Sequence, residues 1–135
     1  MNYYLQKITN NLLERKLYFF IAISFTVAIA IGSLISVNNS IEIPPVKNID
    51  KFLHFTAYFT LTLSWLFAFY KSLKLHLKGI VIVIILFIYG IIIEVLQGVL
   101  TTYRQADLLD IVANSIGIVT AWVIFNKIFP KNRMK

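Results

Sequence analysis

Four long apolar runs separated by short polar segments set the pattern of this chain of 135 residues. The first run, residues 17–37, carries no charged side chain, and the others extend over about 50–70, 79–100 and 107–129. An α-helix rises about 1.5 Å per residue, so about 20 apolar residues cross a hydrocarbon core about 30 Å thick. The pattern therefore predicts four membrane-spanning helices within one domain over residues 1–135.

The segments outside these runs mark the ends of the predicted helices. Pro44 and Pro45 break the helix between the first two spans, and Pro130 ends the fourth. A basic loop at 71–78 separates the second span from the third. Residues 1–16 are polar with scattered apolar positions, which is compatible with a short interfacial helix or with a polar tail. The first run is too long for a signal peptide and no Ala-x-Ala site follows it, so we expect a span there.

Composition places the chain outside the class of soluble proteins. Hydrophobic residues make up 59% of the sequence and charged residues 14%, and the mean hydropathy is +0.77. A soluble domain carries charge at roughly a quarter of its positions. The sequence contains no cysteine, which excludes disulfides, thiolate catalysis and cysteine-ligated metals. We therefore expect an all-α fold, a four-helix transmembrane bundle.

Charge is distributed unevenly between the two sides of this predicted bundle. The N-terminal segment, the 71–78 loop and the C-terminal end lie on one side and hold ten of the thirteen Lys and Arg residues against one acid, Glu14. Because basic residues are retained in the cytoplasm, both termini of the multi-pass protein are expected inside. These segments carry a net charge of +9 and the other side −2, which together give the net charge of +7. The positive charge is therefore explained by cytoplasmic segments and gives no support to nucleic-acid binding.

Polar residues interrupt the third and fourth spans close to the connection between them. Glu94 and Gln97 are three residues apart and share one helix face. Asp107, Asp110 and Asn114 follow at spacings of three and four, so they share a face at the start of the next helix. A connection this short brings the two polar faces to the same end of the bundle.

The second span carries a comparable group in its first turns. His54 has Asp50 one turn before it and Tyr58 one turn after it, with Lys51 close by. A carboxylate at this spacing can fix the tautomer of an imidazole. Arg104 lies in the connection before the fourth span. All these residues fall toward the outer ends of their spans, so we expect them to meet in one outward-facing polar pocket.

The residue types predict roles within that pocket. A charge at the centre of a spanning helix costs about 2.5–3.5 kcal/mol, so such residues usually face the interior and mark a site. Side chains with acid–base chemistry are the catalytic candidates: His54, Glu94, Asp50 and Asp110. Side chains that position or bind a substrate are Lys51, Tyr58, Gln97, Arg104, Asp107 and Asn114, with the arginine as a clamp for an anion or phosphate.

Structural roles remain open for the same residues. Glu94 is also suited to an ion pair with Arg104 or Lys51, or to a hydrogen bond with Asn114, worth about 0.6–2 kcal/mol. Asp107 is suited to the start of a helix, where the dipole favours an acid.

A metal site is a further interpretation of this group. His54 with Glu94, Asp107 or Asp110 offers suitable ligands. No HExxH or comparable spacing is present, however, and the sequence assigns neither a metal nor a cofactor.

Small residues predict close helix packing beside the polar positions. Ala113, Gly117 and Ala121 repeat at four-residue steps, which lets another helix approach closely. Gly90 and Gly98 predict a similarly close approach of a neighbouring helix to the third helix.

The combined pattern resembles the VanZ-like family. The residues that carry the resemblance are Asp50-Lys51-x-x-His54-Phe55-x-x-Tyr58, then Glu94-x-x-Gln97, then Arg104-x-x-Asp107-x-x-Asp110-x-x-x-Asn114-x-x-Gly117. They cover three of the four spans in order. The connection at 100–103 lacks the proline often found before the arginine in relatives. The resemblance implies a small integral membrane protein, and the namesake of the family is linked to resistance to the glycopeptide antibiotic teicoplanin. A protein of this kind is expected in the bacterial inner membrane. The resemblance implies no particular reaction.

Three functional hypotheses follow. The first is a site that binds or acts on an envelope component, such as a lipid-linked or cell-wall precursor. The second is a transporter or a proton-coupled pathway, since acids within a membrane also relay ions; the apolar inner halves of the spans count against it. The third is a non-catalytic accessory subunit of an envelope complex. The lipid bilayer is the expected partner in each case, nucleic acid is not, and the sequence leaves the oligomeric state open.

Overall fold

A computed structural model describes residues 2–35, 49–70, 75–101 and 106–129. Within these ranges the chain forms four helices, α1 (Asn2–Leu34), α2 (Ile49–Phe69), α3 (Leu75–Leu100) and α4 (Leu108–Ile128). Each helix is long and apolar enough to cross a membrane. The predicted all-α fold with four such helices is therefore confirmed. The side of the membrane on which each terminus lies stays a prediction.

Two helix starts differ from the sequence prediction. α1 begins at Asn2 and runs without a break into the apolar run, so residues 2–16 form neither a separate interfacial helix nor a tail. These residues contain no Gly or Pro that would interrupt a helix. α3 begins at Leu75, which places His76 and Lys78 in its first turn rather than in a loop. The two prolines expected to break the chain, Pro44 and Pro45, lie outside the described residues, as does Pro130.

α2 and α4 run parallel and form the most extensive helix contact of the bundle. Their contacts advance along both helices in the same direction, from His54–Asn114 at one end to Phe67–Phe125 toward the other. Gly117 makes this approach possible: a Cβ at that position would overlap the Phe55 carbonyl oxygen on α2. The close approach predicted from the small residues of the fourth span is thus present.

α3 runs antiparallel to both of these helices. Gly79 lies against Leu66 and Trp122, and Gly90, further along α3, lies against Tyr58 and Asn114. The start of α2, the end of α3 and the start of α4 therefore meet at one end of the bundle.

α1 lies at the edge of the bundle. Two hydrogen bonds to Thr26 connect it to the neighbouring helices. Trp65 Nε1 of α2 donates to the Thr26 hydroxyl at 3.1 Å, and the Tyr89 hydroxyl of α3 donates to the Thr26 carbonyl at 2.6 Å. Among the described side chains of α1, Ala22 is the one that is fully buried. Tyr18 and Phe19 stack on aromatic side chains of α2, whereas most other large apolar side chains of α1 are exposed, as expected of a helix that faces lipid on most sides.

The apolar core sits between α2, α3 and α4. Tyr58, Leu61, Leu66, Ile118 and Phe125 are each no more than 1% exposed. Aromatic side chains of α2 and α4 close it at the end away from the start of α2. The polar residues collect at the opposite end.

Candidate functional site

Polar side chains gather where α2 starts, α3 ends and α4 starts. Among the described residues, six polar or charged side chains of this region are buried: His54, Glu94, Gln97, Thr101, Asp110 and Asn114. Asp50, Lys51 and Asp107 are partly exposed beside them. We use "polar cluster" for the seven side chains that the contacts below connect: Asp50, Lys51, His54, Glu94, Asp107, Asp110 and Asn114.

Lys51 joins α2 to the first turn of α4. Its Nζ donates to Asp107 Oδ2 at 2.8 Å and to Asp110 Oδ1 at 3.0 Å. The parallel packing of α2 and α4 places this side chain opposite both carboxylates, which lie three residues apart and share one face of α4. One ammonium group therefore neutralises part of a charge that two acids bring to the same place.

His54 lies deeper between the same two helices and is only 9% exposed. Its Nδ1 is 3.1 Å from Asn114 Oδ1. Its Nε2 faces two carboxylates from different helices, Asp50 Oδ1 at 3.8 Å and Asp110 Oδ2 at 3.6 Å. Because an amide oxygen only accepts hydrogen bonds, the contact with Asn114 places a proton on Nδ1 and directs Nε2 at the two acids.

Glu94 connects α3 to the start of α4. Its Oε1 accepts a hydrogen bond from the backbone N–H of Asp107 at 2.9 Å. Asp107 is the N-cap of α4 and accepts from the Leu109 N–H at 2.9 Å. A buried carboxylate at a helix N-terminus is favoured because it faces the positive end of the helix dipole. The hydrogen bond to Oε1 thus holds the Glu94 side chain in place.

Three buried polar atoms next to this contact have no hydrogen-bond partner within the part of the chain that the structure describes: Tyr58 Oη, Glu94 Oε2 and Gln97 Nε2. Their side chains are each 1% exposed. An unsatisfied buried polar group costs about 1–3 kcal/mol, so native proteins keep few of them outside sites that use them. This side of Glu94 is therefore suited to hydrogen-bonding a ligand group or a water.

The charge state of Asp107 follows from its surroundings. The hydrogen bond from Lys51 lowers the pKa of the Asp107 carboxyl below its ordinary value, and the Leu109 N–H lowers it further. Asp107 is therefore ionised throughout the neutral pH range and keeps its ion pair with Lys51.

The structure brings most of the predicted site residues together. Asp50, Lys51, His54, Asp107, Asp110 and Asn114 are in direct contact, and Glu94 joins them through Asp107. Tyr58 and Gln97 are buried beside Glu94 without a described hydrogen bond from those two side-chain atoms. Arg104 lies outside the described residues.

The pairing within the cluster differs from the expected one in two respects. The Lys51–Glu94 pair, one of the alternatives considered for Glu94, is absent among the described contacts, because Lys51 bonds to Asp107 and Asp110 instead. The expected support of His54 by Asp50 is a contact at 3.8 Å, too long for a hydrogen bond. His54 is oriented by Asn114 from another helix.

Two residues of the site, Thr101 and Ala106, carried no signal in the sequence. Thr101 is buried and donates through its hydroxyl to the Gln97 carbonyl at 2.7 Å, which closes the end of α3. Ala106 lies against Gly98, one of the glycines from which close packing was predicted, and a Cβ added to Gly98 would be 2.9 Å from the alanine Cβ. A threonine and an alanine beside a predicted loop are too common to be singled out without the fold.

The model of the family described as VanZ/LLP1 matches residues 3–129, nearly the whole chain. No curated protein and no solved structure matches the chain.

Proposed function

The chain belongs to the VanZ/LLP1 family, and from this premise we propose that it binds, and acts on, a cell-envelope component at its polar cluster. The component would be a lipid-linked or cell-wall precursor. Four spanning helices and the family make the chain a multi-pass integral membrane protein. In this proposal it resides in the bacterial inner membrane with both termini in the cytoplasm, and the polar cluster faces outward.

The observation that supports the proposal is the convergence of polar side chains from three helices at one end of an otherwise apolar bundle. Intramembrane ionisable groups are costly and mark functional sites. Glu94 is 1% exposed, yet one of its oxygens has no described hydrogen bond. Carboxylates, an amide and an imidazole suit a ligand that offers hydroxyl and amide groups, as the head groups of cell-wall precursors do. Arg104 is proposed as the clamp for a phosphate of the same ligand.

Within this site, roles follow from the contacts of each residue. Glu94 has an oxygen without a described hydrogen bond and is the first acid–base candidate, and the buried His54, whose Nε2 faces Asp50 and Asp110, is the second. Lys51 and Asp107 hold α2 and α4 together around them. Gln97, Asn114 and Tyr58 are the proposed positioning groups.

A proton or ion pathway has less support. Toward the other end of α2, the buried hydroxyls of Thr62 and Ser64 donate to carbonyls of their own helix. Among the described residues these hydroxyls do not continue the polar cluster across the bundle, and this is the observation that counts against a relay.

The test is the phenotype of point variants at matched protein level. We expect Glu94→Gln, His54→Ala and Arg104→Ala each to abolish an envelope phenotype of the wild type, such as tolerance of teicoplanin. Glu94→Gln keeps an acceptor oxygen for the Asp107 N–H but removes the ionisable carboxyl group. Loss of function in this variant would therefore show that the carboxyl group itself is needed. Thr56→Ala is the control on α2, because Thr56 is exposed and its hydroxyl bonds only to Phe52 of its own helix.

The pools of lipid-linked and cell-wall precursors should differ between cells with and without the wild-type chain, and the three site variants should match cells that lack it. Wild-type behaviour from all three variants would refute the proposal. A drop in the amount of protein, rather than in activity, would instead favour the accessory-subunit hypothesis.

A further inference from the structure

We infer that Asp50, His54 and Asp110 form a binding site for one divalent transition-metal ion, of the kind represented by Zn²⁺ or Mn²⁺. One ligand atom of each of the three lies within 4.8 Å of those of the other two. The sequence offered no ligand spacing for such a site, because its residues come from two helices that are far apart along the chain.

The first argument is the direction of the imidazole. The Asn114 oxygen accepts from Nδ1, so the lone pair of Nε2 points at two carboxylates. A neutral imidazole with this tautomer has no proton to offer either acid, and the approach of three acceptors is then unfavourable. A cation between them removes that conflict, and metal-bound histidines are commonly held in this way by a hydrogen bond on the other ring nitrogen.

The second argument is distance. Two atoms bonded to one Zn²⁺ ion at about 2.0–2.2 Å lie about 3–4 Å from each other. The Nε2 atom is 3.6 Å from Asp110 Oδ2 and 3.8 Å from Asp50 Oδ1, beyond hydrogen-bond distance and within this range. Asp50 is in the first turn of α2 and partly exposed, so it forms the outer edge of the proposed site.

The third argument is charge. Four of the six acids in the sequence, Asp50, Glu94, Asp107 and Asp110, belong to the polar cluster. Lys51 is the one lysine or arginine among the members of the polar cluster. It binds Asp107 Oδ2 and Asp110 Oδ1, and neither of these oxygens faces His54 Nε2. Asp110 therefore presents one oxygen to the lysine and the other to the metal site.

The donor set decides the class of ion. An imidazole with two carboxylates suits Zn²⁺ or Mn²⁺ better than Ca²⁺ or Mg²⁺, which prefer oxygen ligands alone. Three protein ligands leave a coordination position for water or a substrate oxygen. Metal binding needs no envelope ligand, so this inference and the proposed function can fail separately.

The experiment measures metal binding by the purified full chain in detergent, carrying an affinity tag without histidine. After treatment with a chelator, Zn²⁺ or Mn²⁺ is added, the excess is removed, and bound metal is measured by mass spectrometry. We expect roughly one ion per chain for the wild type. His54→Ala and Asp110→Asn should lose it, and Asn114→Ala should bind about 10- to 100-fold more weakly because it removes only the support of His54.

Two matched variants serve as controls. His76→Ala removes the only other histidine of the chain and should bind as the wild type does. Asp107→Asn makes the same chemical change as Asp110→Asn on the same helix, keeps an N-cap residue, and should also retain the ion.

Two results would overturn the inference. One is a wild-type chain that takes up no more Zn²⁺ or Mn²⁺ than Asp110→Asn does. The other is binding lost in His76→Ala and kept in His54→Ala. Absorption of Co²⁺ added to the wild type and to His76→Ala gives a readout that does not depend on whether the site variants fold.

Discussion

Asp107 shows how a single residue of the polar cluster supports several parts of the fold. It caps α4, binds Lys51 of α2, and donates its backbone N–H to Glu94 of α3. The same is true of Asp110, which divides its two oxygens between Lys51 and His54. Residues at this end of the bundle therefore hold the helices together as well as presenting chemistry, and variants must separate the two.

The pH dependence of stability isolates the Asp107–Lys51 contact. The folded protein lowers the pKa of Asp107, so the contact stabilises the fold above the ordinary pKa of an aspartate, about 3.9. That stabilisation is lost as the pH falls through the folded-state value. We expect wild type to unfold at a higher temperature than Asp107→Asn at neutral pH, and the difference to shrink progressively below about pH 4. Thermal unfolding in detergent across this range measures it, and a difference that grows in acid would contradict the assignment.

At the scale of the helices, the contact between α2 and α4 depends on Gly117. A Cβ there would overlap the Phe55 carbonyl oxygen and lie 3.1 Å from the Phe59 nitrogen, both backbone atoms that cannot rotate away. We expect Gly117→Ala to separate the two helices and to cost at least about 1–3 kcal/mol, the usual penalty for overpacking. Thermal unfolding and the amount of folded protein in membranes report this loss.

The matched control is Gly32→Ala on α1. Nothing lies within 4 Å of a Cβ at Gly32, and alanine is the better helix former. This variant should be as stable as the wild type or slightly more stable. Equal losses from both variants would show that Gly117 does not set the packing of α2 on α4.

At the scale of the whole molecule, the orientation in the membrane is the open prediction. Because the chain contains no cysteine, single cysteines can be introduced without removing any. A membrane-impermeant maleimide applied to spheroplasts should label Ser40→Cys, in the segment between the first two helices. Gln6→Cys and Lys135→Cys, near the two termini, should be labelled only after the membrane is made permeable. The reverse pattern would place the polar cluster on the cytoplasmic side.

The sequence by itself determined the helices and the chemistry they carry. α2 and α4 begin and end within one residue of the predicted 50–70 and 107–129, because the length of an apolar run is a local property that the bilayer thickness fixes. The residues of the polar cluster were identifiable for the same reason, since charged groups stand out in an apolar run. The starts of α1 and α3 were missed because helix-forming polar residues extend both helices beyond their apolar runs.

Only the tertiary structure decided which of these groups meet. Lys51 lies opposite Asp107 and Asp110 rather than Glu94, and His54 faces one acid from its own helix and one from α4. No spacing along the chain encodes such pairs, because they depend on α2 and α4 running parallel with their backbones nearly in contact at Gly117. Periodicity tells which face of a helix a residue is on, whereas the depth and rotation of one helix against another come from packing.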